Sequence, residues 1–224
     1  MRRILLVRHG QSEMNLIQAK IVGGQSNSSP LTPLGEWQAD ALGRHLARLL
    51  HPHPAPALVA SSTAVRASDT ARRLLAAAGL PAVEVEESEA LLELDQGEWE
   101  GAARAECYTA AALAAIQADP WHFAAPGGES QADVERRATA HVLEGVMPRL
   151  RPGGPPGVVV AHGLTIKCFL RGVLGSAPAN SWKIRLDNTA VVEVGWVDSG
   201  PAAGWHLLRV NDAAHLLAEG VELS

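Results

Sequence analysis

Cysteine is scarce in this chain, which has only Cys107 and Cys168 among its 224 residues. The two lie far apart and form no C-x-x-C pair, which excludes a zinc ribbon and a disulfide framework. Basic residues are not in excess either, because 19 Lys and Arg face 24 Asp and Glu, for a formal net charge of −5. Nucleic-acid binders usually carry a basic excess, so we expect no nucleic-acid partner.

Long apolar runs are also missing. No stretch approaches the roughly 18 apolar residues that a membrane-spanning helix requires. The apolar run at residues 4–7 ends at Arg8, and it is shorter than the region of about 7–15 apolar residues in a secretory signal peptide. We therefore expect no membrane partner and a cytoplasmic protein in a reducing compartment.

Apolar residues nevertheless make up 47% of the chain, which is enough to bury a core. The length is ordinary for one large domain. The chain has no tandem repeat of fixed period and no long linker. These features predict a single domain over residues 1–224, with residues 101–150 as a helical excursion and candidate lid.

Short apolar segments alternate with helical patterns along the chain. The predicted strands lie at residues 4–7, 57–60, 83–85, 158–161, 190–197 and 206–210. The predicted helices begin at Thr32 and Ser130 or span residues 65–78, 102–120 and 164–174. This order predicts an α/β fold, a three-layer sandwich in which a mostly parallel central sheet is flanked by helices.

Two of the nine histidines stand at equivalent places in the predicted sheet. His9 and His162 each end a buried strand and are each followed by glycine. Ligands of an open parallel sheet bind outside the carboxyl ends of its strands. If the two strands are neighbours, both imidazoles face one pocket, and the glycines let backbone approach a ligand closely.

Two arginines add positive charge to the same region. Arg8 ends its strand next to His9, and Arg66 lies in the first turn of the helix that follows the strand at 57–60. A buried guanidinium requires an anionic partner, and its planar shape suits phosphate or carboxylate. Helix N-termini also attract anions. The sequence therefore predicts an anion pocket with phosphate as its natural occupant.

Six ordered motifs resemble those of the histidine phosphatase superfamily, in its phosphoglycerate-mutase-like branch. They are R-H-G-Q-S with Asn15 (residues 8–15), P-L-T-P-L-G (30–35), S-S-T-A-V-R-A with T-A (61–71), E-L-D-Q-G-E-W-E-G (93–101), P-G-G-E-S (126–130) and A-H-G (161–163). R-H-G alone is a weak signal, whereas six matches in order over almost the whole chain are strong. The resemblance also places a substrate loop at residues 16–29.

The resemblance implies a metal-independent phosphomonoesterase without a cofactor, acting on a small phosphorylated metabolite. His9 would attack phosphorus and become phosphohistidine, which water discharges. Glu93 would be the general acid, although Asp95, Glu98 and Glu100 are alternatives, and Glu98 and Glu100 could simply belong to a solvated loop. The implied substrate-binding residues are Arg8, Asn15, Arg66, His162 and Gly163. The catalytic set comprises His9, Glu93, His162, Arg8 and Arg66.

Two other functions remain open at this stage. A mutase would return the phosphoryl group to bound substrate or product, but Leu94-Asp95-Gln96 stands where the mutase site has a basic, Tyr-containing stretch. A phospho-ligand-binding module without catalysis would need neither His9 nor Glu93. Trp99, Trp121, Trp182 and Trp205 are expected to be packing residues rather than substrate contacts.

Overall fold

The computed structural model describes residues 1–217, which form one six-stranded sheet with helices on both faces. The strands are β1 (Arg2–Arg8), β2 (Leu58–Ser62), β3 (Val85–Ser88), β4 (Gly157–Ala161), β5 (Val191–Val197) and β6 (Gly204–Asp212). Their order across the sheet is β3-β2-β4-β1-β5-β6. In this order β3, β2, β4 and β1 are parallel to one another. Strand β5 pairs antiparallel with β1, and β6 pairs antiparallel with β5. The predicted mostly parallel sheet is confirmed.

The helices occupy the connections between strands. They are α1 (Glu13–Ile17), α2 (Pro33–Leu50), α3 (Val65–Ala77), α4 (Arg104–Cys107), α5 (Ala110–Ala118), α6 (Gln131–Ala140), α7 (Gly163–Leu174) and α8 (Ala214–Leu217). A π-helical turn at His141–Val146 continues α6, and 3-10 turns lie at Glu89–Leu91, Gly97–Trp99, Met147–Arg149 and Pro178–Lys183. Among the described residues, no helix is long and apolar enough to cross a bilayer.

Alternate residues of β1 build the cores on the two sides of the sheet. Ile4 and Leu6 pack with the segment α6–α7, while Leu5 and Val7 pack with α2 and α3. Both sides are apolar because successive strand residues point to opposite faces and both faces are covered. This arrangement is the predicted three-layer sandwich.

Two predicted elements differ from those observed. The strand predicted at 83–85 lies at Val85–Ser88 instead, since its outward residues are polar and its apolar signal is short. The single helix predicted over 102–120 is two short helices, because Tyr108 ends α4 and the Thr109 hydroxyl accepts from the Ala112 amide to start α5. The predicted caps are present, with Thr32 starting α2 and Ser130 starting α6.

Candidate active site

The carboxyl ends of β1 and β4 bring the two histidines together. The strands are parallel neighbours with Arg8 opposite Ala161, and the His9 amide donates to the Ala161 carbonyl at 3.0 Å. The ring centroids of His9 and His162 lie 5.1 Å apart at an interplanar angle of 60°. Both rings are buried. The structure therefore brings the two imidazoles together, although His162 is fully buried and only His9 lines the cavity beside them.

His9 is held as a neutral imidazole with a defined tautomer. Its Nδ1 lies 2.7 Å from the Gly10 carbonyl oxygen, which can only accept, so Nδ1 carries the proton. Burial lowers the pKa of His9 well below the usual value, and the cations of Arg66 and Arg8 lower it further. Nε2 is consequently an unprotonated nitrogen whose electron pair can act as a nucleophile.

Gly10 is required by the packing of the chain against α2. A Cβ at this position would collide with the Gly35 carbonyl in the first turn of α2. The close approach of α2 fixes the chain just beyond His9.

Arg66 bridges the two histidines from the first turn of α3. Its Nε donates to His9 Nε2 at 3.3 Å, and its Nη2 lies 3.0 Å from His162 Nδ1. Its Nη1 donates to the Ser26 carbonyl at 2.9 Å. Since the side chain is almost fully buried, the guanidinium has a fixed orientation. It presents positive charge to any group that approaches His9 Nε2.

His162 has the opposite tautomer. An arginine can only donate, so Nδ1 of His162 accepts from Arg66 and Nε2 carries the proton. Nε2 lies 2.8 Å from the Ser62 hydroxyl at the end of β2. Burial lowers the pKa of His162 well below its usual value, with Arg66 as the next cause. Both ring nitrogens thus have protein partners in this structure.

Arg8 offers a buried donor toward the same site. Its Nη1 donates to the Leu186 carbonyl at 2.6 Å, whereas its Nε is buried without a hydrogen-bond partner among residues 1–217. Burial lowers the pKa of Arg8, and Glu93 and Asp187 oppose that effect. Buried polar groups are nearly always paired in native proteins, so an anionic ligand is the natural partner for this nitrogen.

Asn15 has its oxygen and its amide group in different roles. Its Oδ1 accepts from the Ser12 amide at 3.0 Å, which caps α1, and from Asn188 Nδ2 at 3.3 Å. Asn188 Nδ2 also donates to the His9 carbonyl at 3.0 Å. The oxygen of Asn15 is therefore used inside the protein, whereas its NH₂ group makes only a long bond of 3.5 Å to Gln18 Oε1 and is the group that a ligand could accept from.

Glu93 lies at the N-terminus of α7. Its Oε1 accepts from the amides of Leu94 at 3.0 Å and Thr165 at 3.1 Å, and its Oε2 accepts from the Leu164 amide at 3.0 Å. These backbone amides fix the orientation of the Glu93 carboxyl group. Oε2 has the smaller number of partners, so it is the oxygen with room for a proton.

Arg137 of α6 holds the backbone next to Glu93. It donates to the carbonyls of Leu92 at 2.7 Å and Glu93 at 2.9 Å. The same guanidinium forms a two-point ion pair with Glu129, with both bonds at 2.8 Å. Glu129 in turn accepts from the Asp95 amide at 3.2 Å. The pair fixes the path of the chain through the candidate general acid.

Glu100 fixes the loop that contacts Arg66. Its carboxylate accepts from the amides of Gln25 at 2.6 Å, Ser26 at 3.1 Å and Gln96 at 3.2 Å. Glu98 is exposed, as a solvated loop residue would be, but Glu100 is only partly exposed. No structural role was predicted for Glu100, because two of the residues that it binds, Gln25 and Ser26, lie 74–75 positions earlier in the chain.

A cavity of about 610 Å³ opens over these groups and is called the first cavity here. Residues predicted for the site line it, namely Arg8, His9, Asn15, Arg66, Glu93 and Gly163. His162 lies behind them and is fully buried. The predicted substrate loop contributes Gln18 and residues 22–24. Within residues 1–217, no group of three or more His, Cys, Asp and Glu side chains is arranged to hold a metal ion.

The first cavity also has one basic and two aromatic lining residues that were not predicted for the site. They are Arg104, Tyr108 and Trp182. The Arg104 guanidinium lies 4.2 Å from the centroid of the Tyr108 ring, and the Trp182 side chain is 59% exposed. We expected Trp182 to be a packing residue, but its side chain is too exposed for that role. An aromatic residue beside a basic one was the available signal at 104–108.

Comparison with known proteins places the chain among phosphoryl-transfer enzymes. The family model described as histidine phosphatase superfamily (branch 1) matches residues 4–213. A 2,3-bisphosphoglycerate-dependent phosphoglycerate mutase 2 of Gloeobacter violaceus is 34% identical over 191 residues, 84% of this chain and 82% of that protein. A glucosyl-3-phosphoglycerate phosphatase of Mycolicibacterium vanbaalenii is 34% identical over 188 residues, 82% of this chain and 78% of that protein.

A solved structure agrees with these matches. The mycobacterial glucosyl-3-phosphoglycerate phosphatase in complex with VO3 superposes with a TM-score of 0.77 at 29% identity. The superposition covers 94% of this chain and 99% of that one. The similarity therefore extends over the sheet, the helices and the connections that carry the candidate site.

Proposed function

Because the chain belongs to the histidine phosphatase superfamily, branch 1, we propose that it hydrolyses phosphomonoesters of small metabolites through a phosphohistidine on His9. The observation that carries this proposal is the unprotonated Nε2 of His9, which Arg66 Nε approaches at 3.3 Å. A neutral nitrogen nucleophile beside fixed cations is the arrangement that phosphoryl transfer requires.

The first step is attack of His9 Nε2 on phosphorus. A N–P bond forms as the bond from phosphorus to the ester oxygen breaks, and the nitrogen becomes cationic. Arg66 and Arg8 stabilise the phosphoryl oxygens, where negative charge is greatest in the transition state. The bond from Nδ1 to the Gly10 carbonyl stabilises the imidazolium that forms.

Glu93 supplies the proton in this proposal. Protonated on Oε2, it gives its proton to the leaving alcohol oxygen. As a carboxylate it then takes a proton from the water that attacks the phosphohistidine, which releases inorganic phosphate and restores His9. Its place in the wall of the first cavity supports the role. Asp95 is less suited, since it does not line the first cavity.

Hydrolysis of p-nitrophenyl phosphate in excess EDTA tests the proposal. We expect turnover by the wild type and a loss of at least about 10³-fold in His9→Ala, the scale seen when a catalytic nucleophile is removed. Acid quenching of the wild type during turnover should trap phosphate on His9. Unchanged turnover in His9→Ala, or full dependence on added metal, would overturn the mechanism.

A mutase is the second candidate, and Arg104 is the observation that favours it. Its guanidinium lines the first cavity and has no acidic partner among residues 1–217, so it could bind the carboxylate of a phosphoglycerate. The relative from Gloeobacter violaceus is named as such a mutase. Faster isomerisation of 3-phosphoglycerate, primed with 2,3-bisphosphoglycerate, than hydrolysis of simple esters would establish this function instead.

The proposal also includes a single domain over residues 1–224, with residues 101–150 as a lid over the site. Residues 101–150 contribute Arg104 and Tyr108 to the wall of the first cavity, so their movement would open or close it. Vanadate should then protect this segment from limited proteolysis. Identical cleavage with and without vanadate would refute a closing lid. Cys107 and Cys168 are buried and form no disulfide, which fits the cytoplasmic location that we propose.

A further inference from the structure

A second cavity of about 240 Å³ adjoins the first. The two share six lining residues, which are Leu94, Gln96, Arg104, Tyr108, Leu164 and Trp182. Glu93, the candidate acid, directly precedes Leu94 in the wall. A substrate whose phosphoryl group lies at His9 therefore has a route for its alcohol part into the second cavity.

The deep wall of the second cavity is aromatic and aliphatic. Trp99 packs against Tyr108 with ring centroids 5.2 Å apart and against Phe123 at 5.8 Å, and Leu113 and Ile116 of α5 line the same cavity. This set offers little to a hydrated alcohol, but it can bury an apolar group.

Two polar side chains of the second cavity, Glu129 and Gln131, already have partners inside the protein. Both Glu129 oxygens pair with Arg137. Gln131 Nε2 donates to the Pro120 carbonyl at 3.0 Å. The open guanidinium of Arg104 lies where the two cavities share their lining. Away from that shared lining, a charged or hydroxylated ligand finds few open hydrogen-bonding groups, and burying it unpaired is costly.

Helix α5 is the second observation. None of its residues is buried, although its sequence is almost entirely apolar, and Leu113 is 51% exposed. An apolar helix normally buries one face. The apolar side of α5 instead borders the second cavity, so an apolar occupant would supply the contact that the helix lacks.

We propose that the second cavity holds the apolar part of the substrate's alcohol, so that the protein prefers phosphomonoesters of aromatic or branched aliphatic alcohols. The inference rests on the phosphatase function proposed above and names its substrate class. The volume is sufficient, since a cavity of about 150 Å³ accommodates benzene. Arg104 and Tyr108 then mark the passage from the phosphoryl site to the apolar part.

The test compares primary alkyl esters whose leaving alcohols differ little in acidity. We expect kcat/KM for the best of benzyl, 2-phenylethyl and 3-phenylpropyl phosphate to exceed that for ethyl phosphate by about 10-fold to 100-fold, from burial of one ring. These aryl-alkyl esters should also be hydrolysed faster than 3-phosphoglycerate and phosphoserine. Equal rates for ethyl and aryl-alkyl esters, or preference for the carboxylates, would overturn the substrate class.

Two variants of α5 locate the effect. Ile116→Trp fills the second cavity and should lower the ratio of aryl-alkyl to ethyl kcat/KM about tenfold. Gln117→Trp adds the same ring at the next position, which is exposed and does not line the cavity, and should leave the ratio unchanged. Leu113→Asn, which makes the wall polar without filling it, should lower the ratio too. An unchanged ratio in both cavity variants would refute the proposal.

The outcomes separate the two proposals. Hydrolysis of ethyl phosphate or 3-phosphoglycerate that is lost in His9→Ala, without preference for aryl-alkyl esters, leaves the phosphatase function in place and refutes the substrate class. Failure to hydrolyse any ester refutes both.

Discussion

Arg66 Nε donates to His9 Nε2 at 3.3 Å while its Nη2 lies 3.0 Å from His162 Nδ1. One guanidinium thus orders both imidazoles. It also lies in the wall of the first cavity, where it can donate to phosphoryl oxygens. Its fixed, planar geometry is the property that matters, because a single ammonium group has no such set of donors at fixed angles.

Arg66→Lys should therefore lower kcat/KM by about 10²-fold to 10³-fold, the usual cost of removing one donor that stabilises a transition state. The measurement is p-nitrophenyl phosphate hydrolysis. Arg72→Lys is the matched control, since Arg72 lies on the same helix with its side chain 58% exposed. A similar small loss in both variants would show that the bridge is not needed for catalysis.

Glu93→Gln should separate esters by their leaving groups. Without the proton donor, ethyl phosphate hydrolysis should fall by about 10²-fold to 10⁴-fold. The burst of p-nitrophenol, whose oxygen leaves as a stable anion, should change far less. Glu98→Gln, at an exposed position, is the control and should retain both activities. If Glu98→Gln rather than Glu93→Gln shows the ester-dependent loss, the acid has been assigned to the wrong residue.

Glu100→Ala should loosen the loop that holds Arg66. The amides of Gln25 and Ser26 would lose their acceptor, which costs about 1–3 kcal/mol of unfolding free energy when such groups remain buried. The Ser26 carbonyl bonds Arg66 Nη1 at 2.9 Å, so KM should rise as well. Urea unfolding and steady-state kinetics measure the two effects.

Two further variants qualify the Glu100 prediction. Glu100→Gln keeps one acceptor oxygen and should restore part of both losses. Glu98→Ala, which removes an exposed carboxylate nearby, should cause neither. A Glu100→Ala protein that is destabilised but has an unchanged KM would show that the loop contributes to folding without positioning Arg66.

The pairing of His9 with His162 could be predicted because it follows from local pattern. Each histidine ends an apolar run, and parallel neighbouring strands bring their carboxyl ends to one edge. The placement of Glu93 depended on motif resemblance alone. Its position is set by Arg137, which lies 44 residues away, and no local pattern predicts such a contact.

The surroundings of the site were less predictable for the same reason. Glu100 contacts a loop 74–75 residues away, and Trp182 reaches the cavities from the turn after α7. A tryptophan is usually read as a packing residue from sequence. The exposure of Trp182 depends on how the 3-10 turn at Pro178–Lys183 packs. The second cavity lies between several segments that are far apart in the chain. The distances between these segments cannot be predicted from the sequence of any one of them.

Acid should destabilise the protein through its two buried histidines. Their pKa values are lowered well below the usual value by burial and by Arg66, so both are neutral in the folded state. In the unfolded chain they protonate below about pH 6.5. The unfolded state then binds more protons, and unfolding free energy falls with decreasing pH by up to about 1.4 kcal/mol per pH unit for each histidine.

Urea unfolding between pH 7.5 and 5 measures this slope, which should be flat above about pH 6.5 and steepen below it as the unfolded histidines gain protons. His162→Gln keeps an acceptor and a donor but cannot titrate, so its slope should be shallower than that of the wild type by up to about 1.4 kcal/mol per pH unit. His51→Gln, at an exposed position, should match the wild type. Equal slopes in all three proteins would mean that His162 is protonated in the folded state, and that Arg66 cannot be its donor.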